Sequence, residues 1–269
     1  MIKMILSDMD GTLLDNNGCM PPDFDEVMSL LKERGVLFAP ASGRQYTAII
    51  NQMPEYESEL AFISENGAVA MYKGETIFTS PIPKDSILNL LKKMMSDEET
   101  YPVLCGKTCC YVEKKWEPYL GFLEEFLSKY EIVDDLFAAI EKEEIIKIAF
   151  GDFPRGRAEE RLYPLLAESV DAGLKVMLSS AYWVDVLNDG ICKGTAIKGL
   201  QEKLGIKPEE CVAFGDYLND IEMLQSVKYG YAMANAHPEV IKAAKLFAPA
   251  NNKNGVMRTI RKLIEDGLV

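Results

Sequence analysis

Imidazole is almost missing from this chain. His237 is the single histidine in 269 residues, which excludes every mechanism or metal site that needs two. Basic charge is also scarce: 29 lysines and arginines stand against 42 acidic residues, a net charge of −13. Neither nucleic acid nor an anionic membrane finds on such a chain the basic surface that would hold it. No run of 18 apolar residues occurs, and the apolar stretch at the N-terminus is too short for a signal peptide, so neither a membrane span nor secretion is expected. Six cysteines (Cys19, Cys105, Cys109, Cys110, Cys192 and Cys211) are too thinly spread for a disulfide framework. Cys105, Cys109 and Cys110 have loose metal-ligand spacing, yet no second Cys or His pair follows to close a tetrahedron, and they read as thiols of a reducing, cytoplasmic protein.

What is present is an ordinary globular composition, 48% apolar and 26% charged, in a chain long enough for a large α/β domain or a medium domain carrying a second one. Met1 to Leu6 is a short apolar run that breaks into Ser7-Asp8-Met9-Asp10-Gly11-Thr12, the pattern of a buried parallel strand delivering polar residues at its carboxyl end. A helix from about Pro22 to Arg34, a strand Val36–Pro40, a helix Gln45–Met53 and a strand Leu60–Ser64 follow. The same alternation returns late, with a helix Gly194–Leu204, a strand Cys211–Phe214, a helix carrying Met223 and Leu224, and strands at Tyr231–Met233 and Leu246–Ala248. Alternation of this kind predicts a doubly wound parallel sheet, a Rossmann-like α/β core.

Between these halves the texture changes. Amphipathic helices are predicted near Ile87–Met95, Trp116–Lys129 and Ala158–Val170. Short strands are predicted at Tyr101–Cys105, Cys109–Val112, Ile145–Phe150, Val176–Leu178 and Trp183–Leu187. This stretch can build its own sheet and core, so residues 84–188 read as an α/β domain inserted into a core made of 1–83 and 189–269. The crossings fall near Ser80–Pro83 and Asn188–Gly190, candidate hinges.

In an open parallel sheet, sites form outside the carboxyl ends of the strands. Collecting the residues at those ends gives Asp8, Asp10 and Thr12; Ser42 and Gly43; and Asp216, Asn219 and Asp220, with Lys193 at the start of a predicted helix able to join them. Several carboxylates, a hydroxyl and an ammonium form a set suited to a metal ion and a phosphate. Carboxylate oxygens suit Mg2+, a hard ion that commonly shares its shell with substrate phosphate. Asp15 and Glu65 read as loop residues, His237 as a helix-start residue without a role, Tyr182 and Trp183 as core aromatics, and Arg44 as either a turn residue or a substrate contact.

The arrangement resembles the haloacid dehalogenase superfamily, and within it the Cof-like phosphatases with a large α/β cap. The resemblance is carried by Asp8-Met9-Asp10-Gly11-Thr12-Leu13-Leu14, Ser42-Gly43-Arg44, Lys193-Gly194 and Gly215-Asp216-Tyr217-Leu218-Asn219-Asp220, in that order, with the insertion between the second and third segments. Asn66-Gly67-Ala68, Asn235-Ala236 and Gly255-Val256 match further stretches of the subfamily.

The resemblance implies that Asp8 attacks phosphorus and becomes an aspartyl phosphate, while Asp10 protonates the leaving alkoxide and then deprotonates the hydrolytic water. It implies Mg2+ held by Asp8, by the main-chain carbonyl of Asp10 and by Asp216. Ser42, Lys193 and Asn219 would hold phosphoryl oxygens together with backbone amides near Met9 and Gly43, and Asp220 and Thr12 would support the site from behind. The expected activity is hydrolysis of a small phosphorylated metabolite, a sugar phosphate or a phosphorylated cofactor. Three alternatives stay open at this point: a phosphomutase of the same superfamily, a receiver-like phosphoryl-accepting module without turnover, and a non-catalytic binding protein. A monomer is compatible with the sequence, which fixes no oligomeric state.

Overall fold

The computed structural model describes residues 1–124, 127–153, 155–179 and 181–269. In chain order its strands are β1 (Met4–Ser7), β2 (Leu37–Pro40), β3 (Ala61–Ser64), β4 (Val69–Tyr72), β5 (Glu75–Thr79), β6 (Tyr101–Gly106), β7 (Cys110–Glu113), β8 (Tyr130–Val133), β9 (Ile145–Gly151), β10 (Leu174–Leu178), β11 (Trp183–Asn188), β12 (Cys211–Gly215), β13 (Tyr229–Met233) and β14 (Leu246–Ala248). The chain divides into two compact units, one of Met1–Phe78 with Cys192–Val269 and one of Thr79–Ile191. The division falls at 78/79 and 191/192, a few residues outside the 83/84 and 188/189 boundaries drawn from sequence.

The first unit is built on a five-stranded sheet of order β14-β13-β12-β1-β2, every pair parallel. Met4, Ile5, Leu6, Val212, Ala213 and Phe214 are fully buried, which explains why β1 and β12 are continuous apolar runs: a parallel sheet covered on both faces has no polar side to show. Helices pack on it through one apolar face each. Phe24–Glu33 buries Phe24, Val27, Met28 and Leu31, and Gly255–Glu265 buries Val256, Met257, Ile260 and Leu263. The helix Lys193–Leu204 stops at Gly205, whose left-handed backbone (φ 65°) suits glycine alone without cost.

Two expectations for this unit need correction. The segment after β2 does not extend the parallel sheet. Strand β3 joins β2 through a single parallel bridge, Ala41 with Ile63, and pairs along its length with β4 in a separate antiparallel sheet of order β3-β4-β5. Pro40 lacks the N–H that a longer β2–β3 ladder would require. The helix expected over Gln45–Met53 is confined to Tyr46–Ile50, because Pro54 moves the residue before it out of helical geometry (Met53 φ −147°, ψ 54°).

The second unit is a six-stranded sheet of order β10-β11-β9-β6-β7-β8, antiparallel except for the β7–β8 pair. Strand alternation sorts its side chains into two cores. Leu104, Ile148, Phe150, Val184 and Val186 pack with Ile87, Leu91, Leu162 and Leu166 of the helices, while Tyr101, Val103, Cys105, Ala149 and Trp183 form the other cluster. The single helix expected over Trp116–Lys129 is absent as such: Lys114–Tyr119 is a 3-10 segment containing Pro118, only Leu120–Leu123 is α-helical, and part of the expected span lies outside the described residues. Strand β8 and the short helix Leu136–Ala139 were not anticipated. All six cysteines are free. No helix among the described residues is long and apolar enough to cross a membrane.

Candidate active site

Strand β1 ends on a sharp loop whose first residue is Asp8, held to β12 by its amide, which donates to the Phe214 carbonyl at 2.9 Å. The loop can turn there because Gly11 adopts φ 78° and because it has no Cβ, which would lie 2.4 Å from Asp216 Oδ2. No other residue meets both demands. Thr12 then donates its hydroxyl to Asp216 Oδ1 at 2.6 Å, so the ends of β1 and β12 are joined side chain to side chain.

Lys193 is fully buried at the start of its helix. Its ammonium donates to Asp8 Oδ1 at 2.5 Å and to Asp220 Oδ1 at 2.7 Å. The second Asp220 oxygen accepts the main-chain N–H groups of Asp216 (2.9 Å) and Tyr217 (3.1 Å), so this fully buried carboxylate is committed on both sides. Oxygens of Asp8, Asp216 and Asp220 lie within 4.8 Å of one another.

The electrostatics follow from three crowded carboxylates sharing one ammonium. Burial, reinforced by the Asp220 charge, pushes the Asp8 carboxyl well above the ordinary carboxylate range despite Lys193. Burial raises Asp216 to about 6, against the opposing bond from Thr12. For Lys193 burial works toward neutrality, but the Asp220 and Asp8 charges outweigh it and push the ammonium up. Such a site is short of positive charge and rich in hard oxygen donors, and a divalent cation of the magnesium type fits it. Asp8 and Asp216 are the ligands still available, since Asp220 is spent on Lys193 and the main chain.

The other sequence-derived residues surround this centre. Asp10 points outward, its side chain 56% exposed, with both oxygens on the Arg44 guanidinium (2.8 Å to Nε and 2.5 Å to Nη2). Arg44, which the sequence left between two roles, is therefore tied to the Asp8–Thr12 loop. The buried Ser42 hydroxyl accepts the Arg44 N–H at 3.1 Å. Gly43 lies against Asn66, whose Oδ1 accepts Asn219 Nδ2 at 3.0 Å. The Met9 side chain is fully buried in the core, leaving only its main chain for a ligand.

Three further residues support the loop without having been singled out for that task. Asn235 Nδ2 donates to the Gly11 carbonyl (2.8 Å), Asn251 donates to the Leu14 carbonyl and to Asn16 Oδ1 (3.0 Å each), and the His237 N–H donates to the Asp216 carbonyl (2.8 Å). Of the two asparagines Asn251 is buried and Asn235 exposed, and the loop carbonyls they hold lie more than 200 residues away in the chain.

A parallel sheet carries clustered carboxylates at one set of its strand ends, and a second unit interrupts the chain that builds it. Residues 5–260 match the haloacid dehalogenase-like hydrolase family, and the chain belongs to it. Over 98% of its length the chain is 30% identical to 5-amino-6-(5-phospho-D-ribitylamino)uracil phosphatase YbjI of Escherichia coli (strain K12), 97% of which is covered. Among solved structures it is similar to SMU.1108c from Streptococcus mutans UA159, with a TM-score of 0.86 and 27% identity over 98% of this chain and 100% of that one. It also shares its fold with TM0651 from Thermotoga maritima, at a TM-score of 0.87 and 24% identity over 97% of each chain.

Proposed function

We propose that this chain is a magnesium-dependent phosphatase of small phosphorylated metabolites, a sugar phosphate or a phosphorylated cofactor, acting through a phosphorylated Asp8. The observation that carries the reading is the buried centre in which Asp8, Asp216 and Asp220 face the single ammonium of Lys193. Asp8 and Asp216, with the Asp10 carbonyl, would hold the Mg2+ ion. When bound, the ion neutralises carboxylate and phosphoryl charge, so that an anionic ester can approach an anionic nucleophile.

In the first displacement an Asp8 oxygen forms a bond to phosphorus as the ester oxygen departs, taking its proton from Asp10. The Arg44–Asp10 pair must open for this, since both carboxylate oxygens are engaged in it. In the second, Asp10 removes a proton from water, the water oxygen attacks phosphorus, and Asp8 leaves as the free carboxylate with inorganic phosphate as product. Lys193 anchors Asp8 and offers positive charge to the phosphoryl oxygens, while Ser42 and Asn219 present neutral donors to them. The inserted unit, residues 84–188 in the sequence reading, would supply the contacts that choose the substrate.

The test is a phosphate-release screen over a panel of phosphorylated metabolites, including 5-amino-6-(5-phospho-D-ribitylamino)uracil, with magnesium and with a chelator. Release that requires magnesium is expected for at least one member. Isomerisation without phosphate release would make the protein a phosphomutase instead, and phosphorylation of the chain without turnover would make it a receiver-like module.

A further inference from the structure

Asn66 is a buried amide to which phosphoryl transfer assigns no task, and its backbone is strained. It is 6% exposed, with φ 55°, between Glu65 at φ 50° and Gly67 at φ 96°. Three consecutive residues are thus left-handed, and two of them are not glycine. L-residues persist there only when their surroundings over-determine them.

The surroundings are visible. The Glu65 N–H donates to the Arg44 carbonyl and the Asn66 N–H to the Ser42 carbonyl, each at 3.0 Å. Gly67 sits so close to the next segment that a Cβ would lie 2.2 Å from the Cys192 carbonyl oxygen and 2.8 Å from the Lys193 nitrogen. The turn is therefore wedged between the Ser42–Arg44 loop and the start of the Lys193 helix. Its asparagine side chain continues the linkage. The amide rests on Gly43, where an added Cβ would meet Oδ1 at 3.0 Å, and Oδ1 accepts from Asn219. A left-handed turn alone would be served better by glycine. What asparagine adds is the acceptor that orients Asn219.

We propose that Asn66 is a positioning residue for phosphoryl binding, coupling the Asn219 amide to the Ser42–Gly43 loop so that the donors on both face one phosphoryl group. The inference rests on the phosphatase reading above. Asn66→Gly keeps the left-handed backbone and deletes the acceptor. With p-nitrophenyl phosphate and magnesium, kcat/KM is expected to fall about 10- to 100-fold, with inorganic phosphate inhibiting correspondingly more weakly and the melting temperature unchanged. Because Asn66 acts through Asn219, the double variant Asn66→Gly/Asn219→Ala is expected to lose no more than Asn219→Ala alone.

Activity of Asn66→Gly within twofold of wild type, losses that multiply in the double variant, or a melting temperature that falls in step with activity would each overturn the inference while leaving the site reading intact. A wild-type chain that releases phosphate from no ester overturns both.

Discussion

The two units handle buried charge in opposite ways. In the parallel-sheet unit, buried charges converge from distant parts of the chain: Asp8, Lys193 and Asp220 are brought within hydrogen-bond reach, with three carboxylates facing one ammonium. In the antiparallel unit the buried charge is matched. Asp152, 1% exposed, accepts from Arg161 Nε at 2.9 Å and from Arg157 Nη2 at 3.3 Å, and those arginines reach on to Asp97 and Glu99. The difference is topological first. Parallel strands end on one side, so every connection adds a loop there, whereas antiparallel neighbours send successive loops to opposite ends. It is functional second: an unmatched cluster costs stability and persists where chemistry needs it.

Replacing Asp8 tests this contrast most severely. Asp8→Asn removes the nucleophile while keeping the shape, and phosphate release is expected to drop by roughly 10⁴-fold or more. Retention of wild-type turnover would mean that the crowded carboxylates are not a reaction centre. Asp10 comes next. Asp10→Asn should lower kcat/KM for an alkyl phosphate by about 10²–10⁴-fold. The same variant should affect p-nitrophenyl phosphate far less, because that leaving group departs without a proton and kcat/KM reports only the steps up to its departure. Equal losses on both esters, measured side by side by phosphate release, would deny Asp10 the acid role.

Much of this was legible because the informative residues sit in short segments at strand ends. Asp8 to Leu14 and Gly215 to Asp220 each carry their turn glycine and their acids within a few positions, and β1 and β12 are unmistakable apolar runs. The inserted unit was harder to read. Proline inside the Lys114–Tyr119 segment breaks a stretch whose apolar spacing looks helical, and β8, with exposed Glu131 and Ile132, has no alternation to reveal it. The roles of Arg44 and Asn66 were hidden for another reason. Both depend on contacts between loops, Arg44 with Asp10 and Asn66 with Asn219; the Asn66-Gly67 pair suits a left-handed turn, but no local pattern tells which distant loop that turn will meet.

The smallest effects concern stability, where the comparison predicts opposite signs for one chemical change. Asp216 has its carboxyl raised from 3.8 to about 6, chiefly by burial, so the folded protein binds protons more tightly there than the unfolded chain. That preference stabilises the fold below about pH 4 and is lost as pH rises through about 6. Asp216→Asn should therefore unfold at higher urea than wild type at neutral pH without metal, by on the order of 1–3 kcal/mol. The gap should close as pH is lowered to 4, and added magnesium should stabilise the wild type more than the variant. Asp152 has its charge matched by two guanidinium groups, so Asp152→Asn should cost about 1–3 kcal/mol in the same titration, with no response to magnesium. Equal signs for the two substitutions would erase the distinction, since a cluster kept for chemistry gains stability when a charge is removed and a network kept for structure loses it.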